Sequence, residues 1–483
     1  MRRPGSDVYL DALTHMALLA VVGVGAAAFI RPLAAPAELL YPVSALVAAA
    51  LLLWRKPALY LGFMWWVWFL TPAVRRVVDY STSYSEASLV MLAPFLVTGV
   101  ALIPTVTQLH KLAPAYRLPL AFTACGLLYG YTIGVLNNSL AAATFDLLNW
   151  GVPLVGGAYV LTHPQLATAF RQATRQAFLW GMLVMGLYGL VQFIYVPAWD
   201  AYWMLNADLG SIGFPEPYQV RVFSTLNSPG PFAVVLMAGL LLALSEGRMG
   251  RWLAAASGLV GFALSGVRAA WGGWVVGLLL LSVSLPPRLR LRLLGSLVAL
   301  SIVALPLFLS GPVADLFTAR LTTVTDLESD MSFNARLNLY GDISRYIIDN
   351  PLGQGLGGTG SATTLNSGLG FQDLDSGIIA TLYTFGFLGA LYYAGGAAVL
   401  FGRVLSTTLR SRTLPNATYA SIAFAALSQL VFGNAWTGVT GLVTWFFACL
   451  YLATEEAQRG RATPARAARP EVYGAHHLRS RAR

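Results

Sequence analysis

Residues 376–402 read SGIIATLYTFGFLGALYYAGGAAVLFG, an apolar run that contains no charged residue. A helix needs about 20 mostly apolar residues to cross the hydrocarbon core of a bilayer, so this run is long enough to span a membrane. The whole chain has the same character, since 57% of its 483 residues are hydrophobic and only 11% are charged. Soluble domains carry roughly 25% charged residues, so the composition predicts a membrane protein.

Similar apolar runs recur along the chain. They predict an all-α polytopic membrane protein with about 14 transmembrane helices in a single domain, residues 1–454. The predicted spans lie at about 12–30, 37–54, 57–73, 87–105, 118–136, 143–162, 177–196, 229–246, 252–267, 269–285, 294–311, 376–402, 417–433 and 438–454.

Basic residues set the predicted orientation. The chain carries 31 Lys and Arg against 21 Asp and Glu, a net charge of +10. An even number of spans puts both termini on one side, and most basic residues then lie on that side. Cytoplasmic loops are enriched in Lys and Arg, so we expect both termini in the cytoplasm. Residues 455–483, rich in Arg, Ala and Pro, are predicted to form a disordered basic cytoplasmic tail held loosely by membrane lipids.

The composition argues against several other kinds of site. The basic residues lie mostly between apolar runs, which indicates membrane topology and no nucleic-acid partner. Cys125 and Cys449 both lie within apolar runs and predict neither a disulfide framework nor a metal cluster. The sequence pairs no histidines and cysteines at ligand spacing, so we expect no metal and no other cofactor.

One long polar stretch, residues 312–375, interrupts the spans and is predicted to form a large, partly helical periplasmic loop. A helical spacing places Arg336, Tyr340, Ile343 and Ile347 on one face, which can lie on the membrane surface with Arg336 at headgroup depth. The run GQGLGG at residues 353–358 matches a dinucleotide-binding glycine pattern, but no βαβ unit surrounds it. We interpret these glycines as sites of tight turns or close backbone approach.

Arg221 is a candidate anion-binding residue on the predicted outer side. It shortly precedes Pro229, where a helix is expected to begin, and a helix N-terminus favours a negative charge. The alternative is a structural ion pair with Asp208 or Glu216. Both interpretations are consistent with the sequence, and the spacing favours the first.

Arg268 is a second candidate, on a very short turn between two predicted spans. An arginine at the membrane edge is costly unless it is paired. Its planar guanidinium suits a phosphate or a diphosphate, and the alternative is an ion pair with Asp146. By contrast, we expect Arg75 and Arg76, at the end of a span, to extend toward lipid headgroups.

Asp373 and Asp375 close the polar stretch, directly before the span that begins at residue 376. Asp375 is a natural N-cap for that helix. A carboxylate at this position can also act as a general base toward a sugar hydroxyl. The sequence alone leaves both roles open.

Four segments together resemble the O-antigen ligase and polymerase superfamily, which comprises bacterial inner-membrane glycosyltransferases of surface polysaccharide assembly. The segments are VRVFSTLNSPGPFA (220–233), LSGVRAAWGGWVVGLL (264–279), FNARLNLYGDISRYIIDNPLGQGLGG (333–358) and LDSGIIATLYTFGFLGALYY (374–393). Each motif is degenerate alone, and their order and spacing carry the resemblance. The first half of the chain matches only in being apolar.

The resemblance implies a multi-pass glycosyltransferase of the bacterial inner (cytoplasmic) membrane that uses a polyprenyl-diphosphate-linked glycan on the periplasmic face. It implies a metal-independent, inverting transfer. At the matching positions, it implies that Arg221, Arg268 and Arg336 engage the diphosphate. It leaves open a chain-length regulator as a further partner.

Within the superfamily, the chain looks more like the polymerases. Ligases place a histidine just before the span that follows the large loop, and this chain has Asp375 there. The resemblance therefore implies an O-antigen, capsule or exopolysaccharide polymerase with Asp375 or Asp373 as the base. The alternatives are a ligase that transfers glycan to lipid A core or protein, and a flippase for lipid-linked oligosaccharides.

Overall fold

The computed structural model describes residues 4–207, 212–244, 251–309, 343–366, 374, 376–410 and 414–462. Most of these residues lie in helices, as the apolar runs predict. The helices are α1 (Pro4–Ala27), α2 (Arg31–Arg55), α3 (Pro57–Ser81), α4 (Leu92–Gly99), α5 (Leu102–Gln108), α6 (Pro114–Asn137), α7 (Leu140–Thr162), α8 (Ala167–Tyr195), α9 (Ala198–Asn206), α10 (Pro229–Leu244), α11 (Arg251–Leu264), α12 (Arg268–Ser284), α13 (Pro287–Leu309), α14 (Gly377–Thr408), α15 (Leu414–Leu427) and α16 (Gly438–Ala462).

Seven helical stretches of the described chain are long and apolar enough to cross a membrane, and four shorter helices are apolar as well. The protein is therefore a multi-pass membrane protein. Each predicted span overlaps a helix, although the span at 87–105 is divided between α4 and α5. The count of fourteen crossings and the periplasmic placement of residues 312–375 stay predictions.

Helix α16 forms the centre of the bundle. Of its apolar stretch, 94% is buried inside the protein, against 50% or less for each of the other six long spans. A helix that is apolar all round and buried on all sides is surrounded by protein instead of lipid. The same helix continues to Ala462, so the predicted disordered tail begins too early at Glu455.

Several connections meet at one end of the bundle, which we call the loop end. Gly377 at the start of α14 donates its N–H to the Gly433 carbonyl, at 3.0 Å. Ser139 at the start of α7 donates its hydroxyl to the Leu365 carbonyl, at 2.8 Å. Arg75 and Arg76 of α3 bond the connections after α3 and α9, and Arg221 links the connection after α9 to the connection after α11. The loop end is thus formed by residues 82–88, 212–228, 265–267, 350–366 and 428–437.

Residues 351–360, which we call the glycine loop, are the part of the loop end that enters the bundle. Leu356 is fully buried and donates its N–H to the Gly130 carbonyl of α6, at 2.9 Å. Backbone polar groups inside a membrane protein need partners, and the loop obtains them from the surrounding helices. A loop at this depth is stable because these partners replace water.

The glycine loop also completes a break in α14. Gly386 has φ of +59° and interrupts the helix, so that the usual bond from Phe387 to Tyr383 is lost. Phe387 N–H donates instead to the Pro351 carbonyl at 2.9 Å, and the Tyr383 carbonyl accepts from Gln354 N–H at 2.8 Å. The loop backbone therefore supplies an acceptor for the Phe387 N–H and a donor for the Tyr383 carbonyl.

The glycines allow this close packing, as the sequence predicts. Gly353, Gly355 and Gly357 have φ of +83°, +80° and +94°, values that residues other than glycine rarely adopt. A Cβ on Gly355 would lie 2.1 Å from the Gly134 nitrogen. The interpretation of GQGLGG as a site of close backbone approach is confirmed.

Gly134→Ala is expected to destabilise the protein, because the new Cβ would lie 2.3 Å from the backbone oxygen of Leu356. Overpacking of this kind costs about 1–3 kcal/mol, which thermal unfolding in detergent can measure. The matched control is Gly62→Ala in α3, where no atom lies within 4 Å of the new Cβ. Equal melting temperatures for the two variants would mean that the loop does not pack here as described.

Candidate functional site

Two of the predicted diphosphate-binding arginines lie at one turn of the loop end. Arg221 donates through Nε to the Ser265 carbonyl and through a terminal nitrogen to the Gly266 carbonyl, each at 3.3 Å. Gly266 has φ of +60°, and this tight turn leads directly to Arg268, the first residue of α12. Both arginine side chains are half-buried. Arg221 thus fixes the turn that carries Arg268.

The turn lies where helix termini make the surroundings favourable for an anion. Arg268 opens α12, and the partial positive charge of a helix N-terminus adds to that of the guanidinium. α10 begins at Pro229, as predicted, and packs against α12. A cation at a helix N-terminus is unfavourable by itself, so this arrangement suits a negatively charged ligand.

Backbone hydrogen bonds fix the segment that carries Arg221. Val222 N–H donates to the Leu264 carbonyl at the end of α11, at 3.1 Å. Arg221 N–H donates to the Ile212 carbonyl at 2.9 Å, and Gly213 and Val220 form an antiparallel bridge. Residues 220–222 are therefore held against the end of α11 on one side and against residues 212–213 on the other.

A buried ion pair lies beneath this segment. Arg76 of α3 is fully buried, and its Nε lies 2.7 Å from a carboxylate oxygen of Asp200 in α9. The same guanidinium donates to the carbonyls of Ser224 and Leu226 and lies over the ring of Phe223. Arg76 thus connects α3 and α9 to the segment between Arg221 and α10.

The second oxygen of Asp200 has partners of its own. It accepts a hydrogen bond from the Tyr188 hydroxyl and another from Gln192 Nε2, each at 2.8 Å. The side-chain oxygen of Gln192, Oε1, accepts the N–H groups of Phe223 and Ser224, at 3.0 and 2.8 Å. Ser224 has φ of +53°, a strained conformation for a serine that these bonds stabilise.

The expectation that Arg75 and Arg76 reach lipid headgroups is wrong. Arg75 is 6% exposed and pairs with Asp79 of the next helical turn, at 3.2 Å. It also donates to the Ser85 carbonyl and lies over the ring of Trp203, 4.6 Å from the ring centroid. Both arginines instead tie the connections of the loop end to the bundle, because carboxylates and carbonyls there satisfy their charge.

Two of the three alternative partners suggested for the site arginines form hydrogen bonds with other groups. Glu216 accepts a hydrogen bond from Gln219 Nε2 at 2.6 Å, while the Arg221 guanidinium binds the carbonyls of residues 265 and 266. Asp146 is buried in α7 and accepts the Gly357 N–H at 3.0 Å, so it secures the glycine loop. Asp208 lies outside the described residues.

Three predicted site residues, Arg336, Asp373 and Asp375, also lie outside the described residues. The structure nevertheless corrects one prediction about them. The N-cap of α14 is Ser376, whose hydroxyl accepts the Ile379 N–H at 3.5 Å, and not Asp375. Serine is as good a cap as aspartate, and the helix begins at Gly377, one residue later than an Asp375 cap requires.

Sequence reasoning missed Gln192 and Asp200, which hold the site in place without being part of it. Gln192 lies inside a long apolar helix, and Asp200 lies in a predicted outer loop with no visible partner. A polar residue within a span usually serves a buried network, and that signal marks Gln192. The partner of Asp200 becomes visible only when α3 and α9 pack together.

One segment of the chain matches a known protein family. Residues 253–394 match a family model described as O-antigen ligase. The matched segment runs from α11 into α14, and therefore includes Arg268 and the glycine loop. No curated protein matches the chain. The resemblance to the O-antigen ligase and polymerase superfamily is thereby confirmed through this segment of the chain.

Proposed function

We propose that the protein is a glycosyltransferase that polymerises polyprenyl-diphosphate-linked oligosaccharide repeat units on the periplasmic face of the bacterial inner membrane. The observation that carries this proposal is the convergence of Arg221 and Arg268 on one turn at the start of α12. The match of residues 253–394 to the O-antigen ligase family supports the same class of reaction. In this proposal the loop end faces the periplasm, and both termini lie in the cytoplasm.

The chemistry follows from the leaving group. The hydroxyl oxygen of an acceptor sugar attacks the anomeric carbon from the face opposite the diphosphate, while a base removes the hydroxyl proton. The bond from the anomeric carbon to the diphosphate oxygen breaks, and the polyprenyl diphosphate leaves with the electron pair. Preorganised arginines stabilise the charge that gathers on it. We assign this role to Arg221 and Arg268, with Arg336 as the third contact and Asp375 or Asp373 as the base.

A reconstitution experiment tests the proposal. Purified protein in liposomes is supplied with lipid-linked repeat units, and the products are separated by gel electrophoresis. We expect a ladder of lengthened lipid-linked glycans. Transfer only after lipid A core or an acceptor protein is added would identify a ligase, and movement of the glycan across the bilayer without a ladder would identify a flippase.

We favour the polymerase over the ligase because of the residues before α14. Ligases of the superfamily place a histidine where this chain has Asp375. Since Ser376 caps α14, capping is not the role that we give Asp375. The resemblance places the base at this position, and a carboxylate can remove the proton of the acceptor hydroxyl.

Asp375→Asn is therefore expected to reduce ladder formation by about a hundredfold or more, the usual contribution of a general base. Asparagine cannot remove a proton, and the helix keeps its Ser376 cap. Asp373→Asn is measured in parallel because Asp373 is the second candidate base. The matched control is Asp349→Asn, an exposed carboxylate of the same polar stretch. Full activity of both Asp375→Asn and Asp373→Asn would exclude a carboxylate base at this position.

A further inference from the structure

At the end of the bundle opposite the loop end, helix termini surround a cavity of about 370 Å³. Its walls come from the connection between α5 and α6, the start of α6, the end of α7, the connection between α7 and α8, and the end of α16. The polar residues that line it are Gln108, Lys111, Tyr116, Thr162, Gln165 and Glu456. Pockets that bind small ligands begin at about this size.

The cavity carries two charges of opposite sign. Lys111 bonds the side-chain oxygen of Gln108 at 3.2 Å, and the Tyr116 hydroxyl lies 3.5 Å from a carboxylate oxygen of Glu456. His163 lies next to the lining, and burial lowers the pKa of its imidazole, which disfavours its charged form. A ligand that carries an anion and a cation within one small group would match both charges.

The surroundings of the cavity are apolar on the outside of the bundle. Just before Lys111, α5 exposes Leu102, Ile103 and Val106, and just after it α6 exposes Leu118 and Phe122. In a multi-pass membrane protein such exposed faces contact acyl chains. Long charged side chains at helix ends characteristically reach the headgroup region, and a polar cavity between those faces lies at the same depth.

We propose that this cavity binds the headgroup of an aminophospholipid such as phosphatidylethanolamine. Lys111 contacts the phosphate as a point charge, and Glu456 accepts hydrogen bonds from the primary ammonium group. Gln108 and Gln165 supply further polar contacts at the rim. The site is separate from the arginines of the loop end, so it does not depend on the function proposed there.

Lipid titration followed by native mass spectrometry of the full-length protein in detergent tests this assignment. We expect phosphatidylethanolamine to bind about tenfold more tightly than phosphatidylglycerol, which has the phosphate and lacks the amine. Glu456→Gln should remove this preference by weakening the binding of phosphatidylethanolamine only. Lys111→Gln should weaken the binding of both lipids about tenfold, since both lose the contact to phosphate.

The matched control is Lys56→Gln. Lys56 is the other lysine of the chain, and it pairs with Asp11 at 3.1 Å outside the cavity. The Lys56→Gln variant should bind both lipids with the affinities of the unchanged protein. Melting temperatures verify that all variants are folded. Equal affinities of the unchanged protein for the two lipids, or equal effects of Lys111→Gln and Lys56→Gln, would overturn the assignment. Displacement of the lipid by equimolar soluble phosphoethanolamine would also overturn it, in favour of a water-soluble ligand.

Discussion

Arg268→Ala is expected to reduce polymer formation at least about a hundredfold, the usual loss when one preorganised donor to a developing charge is removed. Arg268 is the first residue of α12 and follows a turn that Arg221 holds in place. In the proposed function, its guanidinium and the helix N-terminus both stabilise the leaving group. The leaving diphosphate gathers charge as its bond to the anomeric carbon breaks, and without Arg268 that charge is poorly compensated. Gel analysis of the reconstituted reaction measures the loss.

Arg221→Ala should lower activity similarly, and for two reasons. It removes one guanidinium and also releases the carbonyls of Ser265 and Gly266 that define the turn. Arg221→Lys keeps the charge but cannot bond both carbonyls with a planar fork, so we expect only partial activity. The control is Arg31→Ala, an exposed arginine at the start of α2, which should remain active. Normal polymer length and yield from Arg221→Ala and Arg268→Ala would contradict the proposed role of the turn.

Arg76→Ala is expected to destabilise the fold by about 3–5 kcal/mol, because it leaves the fully buried Asp200 carboxylate without its ion pair. Asp200→Asn should cost a similar amount by leaving the Arg76 charge buried. The carbonyls of Ser224 and Leu226, in the segment before α10, also lose their donor when Arg76 is removed. Unfolding in denaturant and the amount of protein in the membrane are the measurements.

The controls for this pair separate charge from packing. Asp11→Asn removes an exposed partner of Lys56 and should leave unfolding unchanged. Replacing both members, as Arg76→Met with Asp200→Leu, should restore much of the stability, since a well-packed apolar pair avoids the cost of a buried charge. If the Arg76→Ala and Asp11→Asn variants unfold at the same denaturant concentration, the ion pair between Arg76 and Asp200 does not stabilise the loop end.

The helices were predictable from the sequence because apolar runs of span length leave few alternatives. The close packing of the glycine loop was predictable too, since GQGLGG has no context for nucleotide binding and glycine permits close approach. The division of the span at 87–105 into α4 and α5 was not predictable. Nor was the extension of α16 to Ala462, because a charged helix end resembles a disordered tail in composition.

The buried ion pair shows why the rest of the site was hidden. An arginine at the end of a span resembles one that extends to headgroups, and the acidic residue nearest to Arg76 in sequence, Asp79, pairs with Arg75 instead. Asp200 follows much later in the chain, and only tertiary packing brings the two together. The cap of α14 was misassigned for a local reason, since Asp375 and Ser376 are adjacent and both are good caps.

The central claim is that Arg221 and Arg268 act together on a diphosphate, and the affinity of purified protein for polyprenyl diphosphate and polyprenyl monophosphate tests it most directly. We expect the unchanged protein to prefer the diphosphate by about tenfold or more. We expect Arg221→Ala and Arg268→Ala each to abolish the preference, and the double variant to lose little more than either single one, since the two residues share one turn. An equal affinity for the two lipids, or a preference that survives in the double variant, would contradict it.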